Sequence, residues 1–167
     1  MQKRKSTNLI ILHCSATKEG VNYTAKDIKN WHVQSNGWSD IGYHYVIDLD
    51  GTIEKGRDES YVGAHCSGKN STSIGVCYIG GLDAKGKAKD TRTNEQKESM
   101  YRLVNQMLDK YKLTIKDVYG HRAFCSKDCP CFDTETFRQE YRQWKAKQMY
   151  NHKTMICPKC GEKIEFE

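Results

Sequence analysis

The sequence lacks an apolar segment long enough to cross a membrane. The stretch NLIIL near the start has only five residues before the polar HCSAT begins, whereas a transmembrane helix needs about 20 apolar residues. The same shortness argues against a secretory signal peptide, although basic residues precede the stretch. We therefore interpret NLIIL as a buried strand and expect a protein that is made in the cytoplasm without a signal sequence.

The sequence also lacks internal repeats and the composition of a disordered chain. Hydrophobic residues make up 37% and aromatic residues 10% of the 167 positions, as in globular domains. One domain of this length can bury most of its apolar surface around a single core. The formal net charge of +6 suits an anionic partner, such as nucleic acid or a bacterial wall, without distinguishing between them.

Cysteine, in contrast, is abundant. Without a signal sequence, a disulfide framework is a poor explanation for eight cysteines, and metal ligation or thiol packing is favoured. Three of them lie beside or within predicted strands and are expected to be buried thiols: Cys14, Cys66 and Cys77.

Hydrophobic patterning predicts strands that alternate with helices. Strands are expected at 8–12, 73–81 and 117–121, with a hairpin over 43–57 that turns at Asp50 and Gly51. Helices are expected at 24–36, 93–111 and 134–149, and the first two begin with capping-box residues. The order predicts an α/β fold with a single central mixed β-sheet flanked by helices. A change in composition divides the chain into a domain, 1–150, and a short tail, 151–167.

Two histidines come at the ends of predicted strands, His13 early in the chain and His121 late. A catalytic zinc ion usually takes three protein ligands and leaves one position for water. The third ligand would come from Cys125, Cys129 or Cys131. Taken alone, His13 is better explained as a hydrogen-bonded histidine at a strand end, so the strand-end pattern by itself does not establish a metal site.

Four segments together resemble the zinc-dependent N-acetylmuramoyl-L-alanine amidases of the phage-lysozyme type, a family that shares its fold with peptidoglycan recognition proteins. They are HCSAT (13–17), GYHYVIDLDGTIEKGRDESYVGAH (42–65), NSTSIGVCYIGGLDAKGK (70–87) and HRAFCSKDCPCFD (121–133). The resemblance extends from about Asn8 to about Trp144. It implies a peptidoglycan hydrolase that uses a zinc-activated water to cleave the amide bond between N-acetylmuramic acid and L-alanine, as a phage or prophage endolysin does.

The resemblance also implies roles for individual residues. The family's zinc ligands correspond to His13, His121 and Cys129. Its catalytic tyrosine and lysine correspond to Tyr43 and Lys127. The lysine would stabilise the oxyanion of the tetrahedral intermediate. The tyrosine would orient the water or pass a proton to the leaving amine. Without the resemblance, Tyr43 would be expected to face the core and Lys127 to be an ordinary exposed lysine.

Other polar residues near these motifs receive secondary roles. The family string that contains His65 lies near the substrate, so His65 and Asn70 are expected to bind substrate. His44 should point to the opposite face of its strand from Tyr43 and is interpreted as structural. His32 is expected on a helix face.

The remaining cysteines are not assigned by the resemblance. Cys125 and Cys131 flank the expected ligand and could pair with each other outside the cell or compete for the metal. Cys157 and Cys160 in the tail motif CPKCG supply only half of a tetrahedral site. A second zinc ion would need His152 and another ligand, or a second chain, and a metal-free tail fits the sequence equally well.

The alternative to an amidase is a peptidoglycan-recognition module without turnover. Non-enzymatic relatives typically lack the cysteine ligand, so the presence of Cys129 favours catalysis. Nucleic-acid binding is not expected, because basic residues on a terminal helix usually form a solvated face. Some phage relatives also bind a polymerase, so a polymerase or other regulatory partner is compatible with the resemblance, but no residues can be assigned to it. An enzyme of this kind would act on the cell wall after release through a holin or lysis.

Overall fold

The computed structural model describes the backbone of residues 1–156 and 163–165 and the side chains of residues 1–150. The chain forms two compact units, Met1–Thr134 and Glu135–Glu167. Its strands are β1 (Leu9–Cys14), β2 (Thr17–Lys18), β3 (Tyr45–Ile47), β4 (Ile53–Lys55), β5 (Ser73–Tyr78), β6 (Gly81–Leu82), β7 (Val118–Gly120), β8 (Thr154–Ile156) and β9 (Lys163–Glu165). Its α-helices are α1 (Ala25–Asn30), α2 (Asn94–Tyr111) and α3 (Thr134–Lys153). A π-helical segment, Trp31–Ser35, continues α1.

A five-stranded sheet with the order β4-β3-β5-β1-β7 forms the centre of the first unit. Only the hairpin pair β3 and β4 is antiparallel, and the other pairs are parallel. Ile10, Ile11 and Leu12 have no exposed surface. Because successive side chains of a strand point to opposite faces, both faces of β1 are covered. The predicted mixed central sheet is confirmed.

Helix α1 covers one face of this sheet. It begins at a capping box in which Thr24 and Asp27 bond to each other's backbone N–H groups. Its buried Ile28 belongs to a hydrophobic cluster that contains Val46 of β3 and Cys77 of β5. The helix predicted at 24–36 is therefore confirmed, with its last turn widened to a π-helix.

Helix α2 begins at the predicted capping box of Thr93 and Gln96. Tyr45 of β3, which alternation places on the opposite face from the α1 cluster, shares the carboxylate of Glu59 with Tyr111 of α2. This shared acceptor places α2 over the second face of the sheet. The helix buries an apolar stripe with a period of three to four residues: Met100, Leu103, Val104, Met107 and Leu108.

The second unit contains most of α3, which extends beyond the predicted 134–149 to Lys153. Phe137 and Tyr141 are buried, and the Tyr141 and Trp144 rings stack with their centroids 5.9 Å apart. Strands β8 and β9 form an antiparallel pair. The predicted tail metal site falls on 157–162, outside the described residues, and the boundary after residue 150 stays a prediction. No α-helix among the described residues is both long and apolar enough for a bilayer.

The carboxyl ends of β1 and β7 lie next to each other, on the side of the sheet where its parallel strands end. The two strands are parallel neighbours, with Leu12 opposite Gly120. His13 and His121 each follow one of these paired positions. The register therefore brings together two histidines that are 108 positions apart in the chain.

Candidate metal centre and groove

Three side chains converge at this edge of the sheet. His13 lies in β1, His121 begins the 3-10 turn after β7, and Cys129 lies in the following loop. One potential ligand atom from each lies within 4.8 Å of the other two. These are the three ligands that the resemblance implied, and in the described part of the chain no other such group of three or more His, Cys, Asp or Glu residues occurs.

The donor set fits a zinc ion. His13 Nδ1 lies 3.7 Å from Cys129 Sγ. In a tetrahedral zinc site with usual bond lengths, a nitrogen and a sulfur ligand are about 3.6 Å apart. Two imidazoles and one thiolate are also common zinc ligands, and three protein ligands leave one position open. The residues therefore suit a catalytic rather than a closed structural site.

A tight loop over 121–133 positions Cys129. The loop is closed by a hydrogen bond from the Arg122 N–H to the Cys129 carbonyl, 2.6 Å long. A Cβ on Gly120 would lie 2.7 Å from Pro130 Cδ, so glycine is needed for the loop to pack against the end of β7. The Tyr78 hydroxyl donates to the Pro130 carbonyl at 2.8 Å. The backbone N–H of Cys14 donates to Cys129 Sγ at 3.4 Å, which aims the sulfur at the site.

The far nitrogen of His13 is hydrogen-bonded to a second buried histidine. His13 Nε2 lies 3.0 Å from His65 Nδ1. A metal on His13 Nδ1 requires the proton on Nε2, so Nε2–H donates and His65 Nδ1 accepts. His65 Nε2 then carries its proton towards Ser73 Oγ, 3.4 Å away, and the Ser73 hydroxyl donates to the Lys69 carbonyl at 2.8 Å. The chain of contacts selects the tautomer in which His13 can bind a metal.

The electrostatic surroundings keep the histidines neutral. Burial, followed by the charges of neighbouring histidines, holds the pKa of His13 and of His65 well below the usual 6.5. The pKa of His121 is lowered by burial and by the positive charge of Lys127. Neutral imidazoles have a lone pair for a metal without first losing a proton. The site is therefore competent for metal binding at neutral pH.

A groove of about 550 Å³ opens beside His121, one of the three candidate ligands. Lys127, His121 and His65 line it together with Trp38 and Phe124. The two aromatic residues were not identified from the sequence. For Trp38, the only local signal is the GW pair at 37–38, which is typical of a helix end and does not indicate a groove. For Phe124, nothing in its local sequence distinguishes a groove residue from a core residue.

Tyr43 lies beside His13 but does not line the groove. Its ring centroid is 5.1 Å from that of His13. Burial, followed by the nearby Cys77 and Cys129 thiols, raises its pKa well above 10. At neutral pH its phenol is uncharged, and it can donate or accept a hydrogen bond but is not a ready base.

Asn70 and His44 have backbone partners. The Asn70 side-chain oxygen accepts the N–H groups of His65 and Cys66, each at 2.8 Å, so it holds the segment that carries His65 even though it also borders the groove. His44 is buried, and its Nδ1 accepts the Gly75 N–H at 3.0 Å. This contact agrees with the structural role expected for His44.

The unassigned cysteines take separate positions. Cys131 Sγ lies 3.5 Å from Cys14 Sγ. Cys125 instead faces the groove, and its thiol donates to the His121 carbonyl at 3.5 Å. Cys77 and Cys66 are buried, as expected. Pairing of Cys131 with Cys125 was one expectation from the sequence, whereas the fold places Cys131 against Cys14.

Comparison with known proteins identifies similar chains. Residues 3–132 match the family described as N-acetylmuramoyl-L-alanine amidase. The chain is 44% identical over 132 residues to the endolysin of Escherichia phage T7, covering 79% of this chain and 85% of the relative. It is 31% identical over 135 residues to peptidoglycan-recognition protein SC2 of Drosophila simulans, covering 80% of this chain and 70% of that relative. Among solved structures, N-acetylmuramoyl-L-alanine amidase LysC from Clostridium intestinale is similar with a TM-score of 0.68 and 30% identity, covering 82% of this chain and 86% of that one.

Proposed function

The chain belongs to the N-acetylmuramoyl-L-alanine amidase family and acts as a peptidoglycan amidase, and we propose that it does so with a zinc ion held by His13, His121 and Cys129. The observation that carries this proposal is the convergence of the three ligand atoms within 4.8 Å at the end of the sheet. The scissile bond is the amide that joins the lactyl group of N-acetylmuramic acid to L-alanine. Its hydrolysis leaves a lactyl carboxylate and a stem peptide with a free amino terminus.

The metal and the nearest side chains would have different roles in the hydrolysis. Zinc at this site would lower the pKa of a water molecule and polarise the scissile carbonyl. Lys127 is exposed and lines the groove beside His121. Its ammonium is a mobile point charge that can approach the carbonyl oxygen as negative charge develops there. We assign Lys127 to stabilisation of the oxyanion.

Tyr43 is assigned to hydrogen bonding rather than to proton abstraction. Its raised pKa keeps the phenol neutral, and a neutral phenol both donates and accepts. It is therefore suited to orient the attacking water or to pass a proton towards the leaving amine, with its ring held 5.1 Å from that of His13.

The groove offers the secondary substrate contacts. His65 and Asn70 both border it, and substrate binding by these two residues stays part of the proposal. Each already has a partner inside the protein, so their contribution to substrate would come from the atoms that remain on the groove side.

We further propose that the chain is an endolysin, made in the cytoplasm and acting on the cell wall after release. Its similarity to the phage T7 endolysin supports this role. A tagged full-length chain found in the periplasm of cells without any phage export function would contradict the proposed route. A regulatory protein partner and a second zinc ion in the tail remain proposals without assigned contacts.

The direct test is digestion of purified peptidoglycan with and without a zinc chelator, with the products read by mass spectrometry. We expect stem peptides with a free L-alanine amino terminus, whose release stops on chelation and resumes when zinc is added. Release that continues after complete removal of the metal would refute the zinc proposal. A wall that binds the zinc-loaded protein but stays uncut would instead point to a recognition module.

A further inference from the structure

Two thiols outside the proposed ligand set meet beside the metal centre. The sulfur atoms of Cys14 and Cys131 are 3.5 Å apart, although the residues are separated by 117 positions. Cys14 directly follows His13, and Cys131 comes two residues after Cys129. The sulfur contact therefore joins the end of β1 to the loop over 121–133.

The contact occupies a space that the fold leaves open at Gly81. A Cβ at this position would lie 2.6 Å from Cys14 Sγ and 3.5 Å from Cys131 Sγ. Gly81 also has a φ of 103°, which side-chain-bearing residues rarely adopt. Cys14 is only 4% exposed, whereas Cys131 is partly exposed. A small reagent from solvent would therefore reach Cys131 first.

We propose that Cys14 and Cys131 form a redox-active dithiol that oxidation closes to a disulfide, fastening the 121–133 loop to β1 and leaving Cys129 free for the metal. The inference deepens the proposed function, since it concerns the stability of the same site. A disulfide needs a sulfur–sulfur distance of about 2.05 Å, so the two atoms must approach by about 1.5 Å. The proposal requires rotation of the two cysteine side chains to supply this shift while Cys129 stays in place.

With hydrogen peroxide as the oxidant, the reaction is balanced in two steps. The Cys131 sulfur attacks the O–O bond and becomes a sulfenic acid, and one water is released. The Cys14 sulfur then attacks the sulfenic sulfur, which forms the S–S bond and releases a second water. Two thiols are oxidised and one peroxide is reduced to two waters. Because Cys131 is only partly exposed, access of peroxide to its sulfur is restricted and incubations must be long.

Two other cysteines in the same loop could form a disulfide in place of Cys131. Cys129 accepts the backbone N–H of Cys14, so it lies near the same sulfur. Zinc would engage the Cys129 thiolate and direct oxidation to Cys131. Cys125 bonds to the His121 carbonyl and serves as the control within the same loop.

The test treats the full-length, reduced protein with hydrogen peroxide, with and without bound zinc, and then blocks the remaining thiols with an alkylating reagent. Trypsin under non-reducing conditions separates the cysteines: Cys14 falls in 6–18, Cys125 in 123–127, and Cys129 and Cys131 together in 128–138. We expect monomeric protein in which 6–18 is linked to 128–138. Fragmentation of the linked pair should assign the bond to Cys131 and leave Cys129 alkylatable once zinc is removed.

Matched variants decide the assignment. Cys131→Ser should abolish the linkage, and Cys125→Ser should retain it at wild-type yield. A bond assigned to Cys129, or a link that survives in Cys131→Ser, would overturn the proposal. So would oxidation of Cys125 while Cys14 and Cys131 stay fully alkylatable. Because the linkage is scored from the linked peptides and not from amidase activity, a failure of the proposed zinc chemistry does not change its reading.

Discussion

The hydrogen bond between the two buried histidines leads to a specific prediction about metal affinity. The His65 ring fills a narrow slot, since a Cβ on Gly63 or Gly75 would lie 2.5 Å or 2.6 Å from its Cδ2. From this slot Nδ1 accepts the His13 Nε2–H at 3.0 Å. Replacing His65 with Leu removes the acceptor and leaves the His13 donor buried without a partner.

The expected loss of zinc affinity can be estimated from this hydrogen bond. Loss of an outer-shell partner of a metal-ligating histidine typically costs about 10- to 100-fold in metal affinity. This range corresponds to about 1.4 to 2.8 kcal/mol, which agrees with the cost of about 1 to 3 kcal/mol for one buried unsatisfied donor. We therefore expect His65→Leu to weaken zinc binding by about one to two orders of magnitude. His65→Gln, which offers a carbonyl oxygen to His13, should recover part of the loss.

The assay is competition with a chromogenic zinc chelator at pH 7, with thermal unfolding of the metal-free proteins as a check on folding. His44→Gln is the matched control, because His44 is also buried but its Nδ1 contacts the Gly75 backbone rather than a candidate ligand. Folded His65→Leu with wild-type zinc affinity would refute the argument that His65 selects the His13 tautomer. An equal loss in both variants would show a general effect of core disruption.

Three further predictions follow from the same residues. Cys129→Ser should abolish turnover and lower the bound zinc by one ion per chain relative to the wild type, and an unchanged metal content would mean that another sulfur is the ligand. Lys127→Ala should lower kcat by about 100- to 1,000-fold, as loss of an oxyanion donor does, and an equal fall in zinc affinity would contradict its assigned role. Burial lowers the pKa of His44 to about 4, so its neutral form stabilises the fold above pH 6.5, and about 3 kcal/mol is lost as pH falls from 6.5 to 4. Urea unfolding should show a loss about 3 kcal/mol larger in the wild type than in His44→Gln, because the other histidines with lowered pKa values contribute to both proteins: His13, His65 and His121. Asp48, whose pKa is raised to about 7 by burial and by Glu54, acts in the opposite direction in both proteins and cancels in the comparison.

Much of the fold could be predicted from local patterns. The apolar stretch before His13 became β1, the Asp50–Gly51 turn joined β3 to β4, and the Thr93 capping box began α2. These features depend on residues within a few positions of one another, where side-chain periodicity and capping chemistry act directly. The sequence predicted less well where an element ended, as in α3, because the last turns depend on what the helix contacts.

The three candidate metal ligands could be predicted only in part from the sequence. The positions of His13 and His121 at strand ends predicted that both would reach one edge of the sheet, since parallel strands end on the same side. Spacing alone left three cysteines as candidates for the third ligand. The family resemblance selected Cys129, and the closed loop shows the physical basis, because its hydrogen bonds turn that sulfur, rather than the sulfur of Cys125, towards His13.

Other contacts arise only in the folded chain. His65 meets His13 across 52 positions, and Cys131 meets Cys14 across 117. No local pattern encodes such distances, because they follow from the register of β1 with β5 and β7 and from the close approach that Gly120 and Gly81 allow. The sequence by itself determined the elements and the chemical types of the ligands. The tertiary structure decided which nitrogen of His13 is free for the metal and which thiols lie within reach of each other, since hydrogen bonding and sulfur contact act only over a few ångströms.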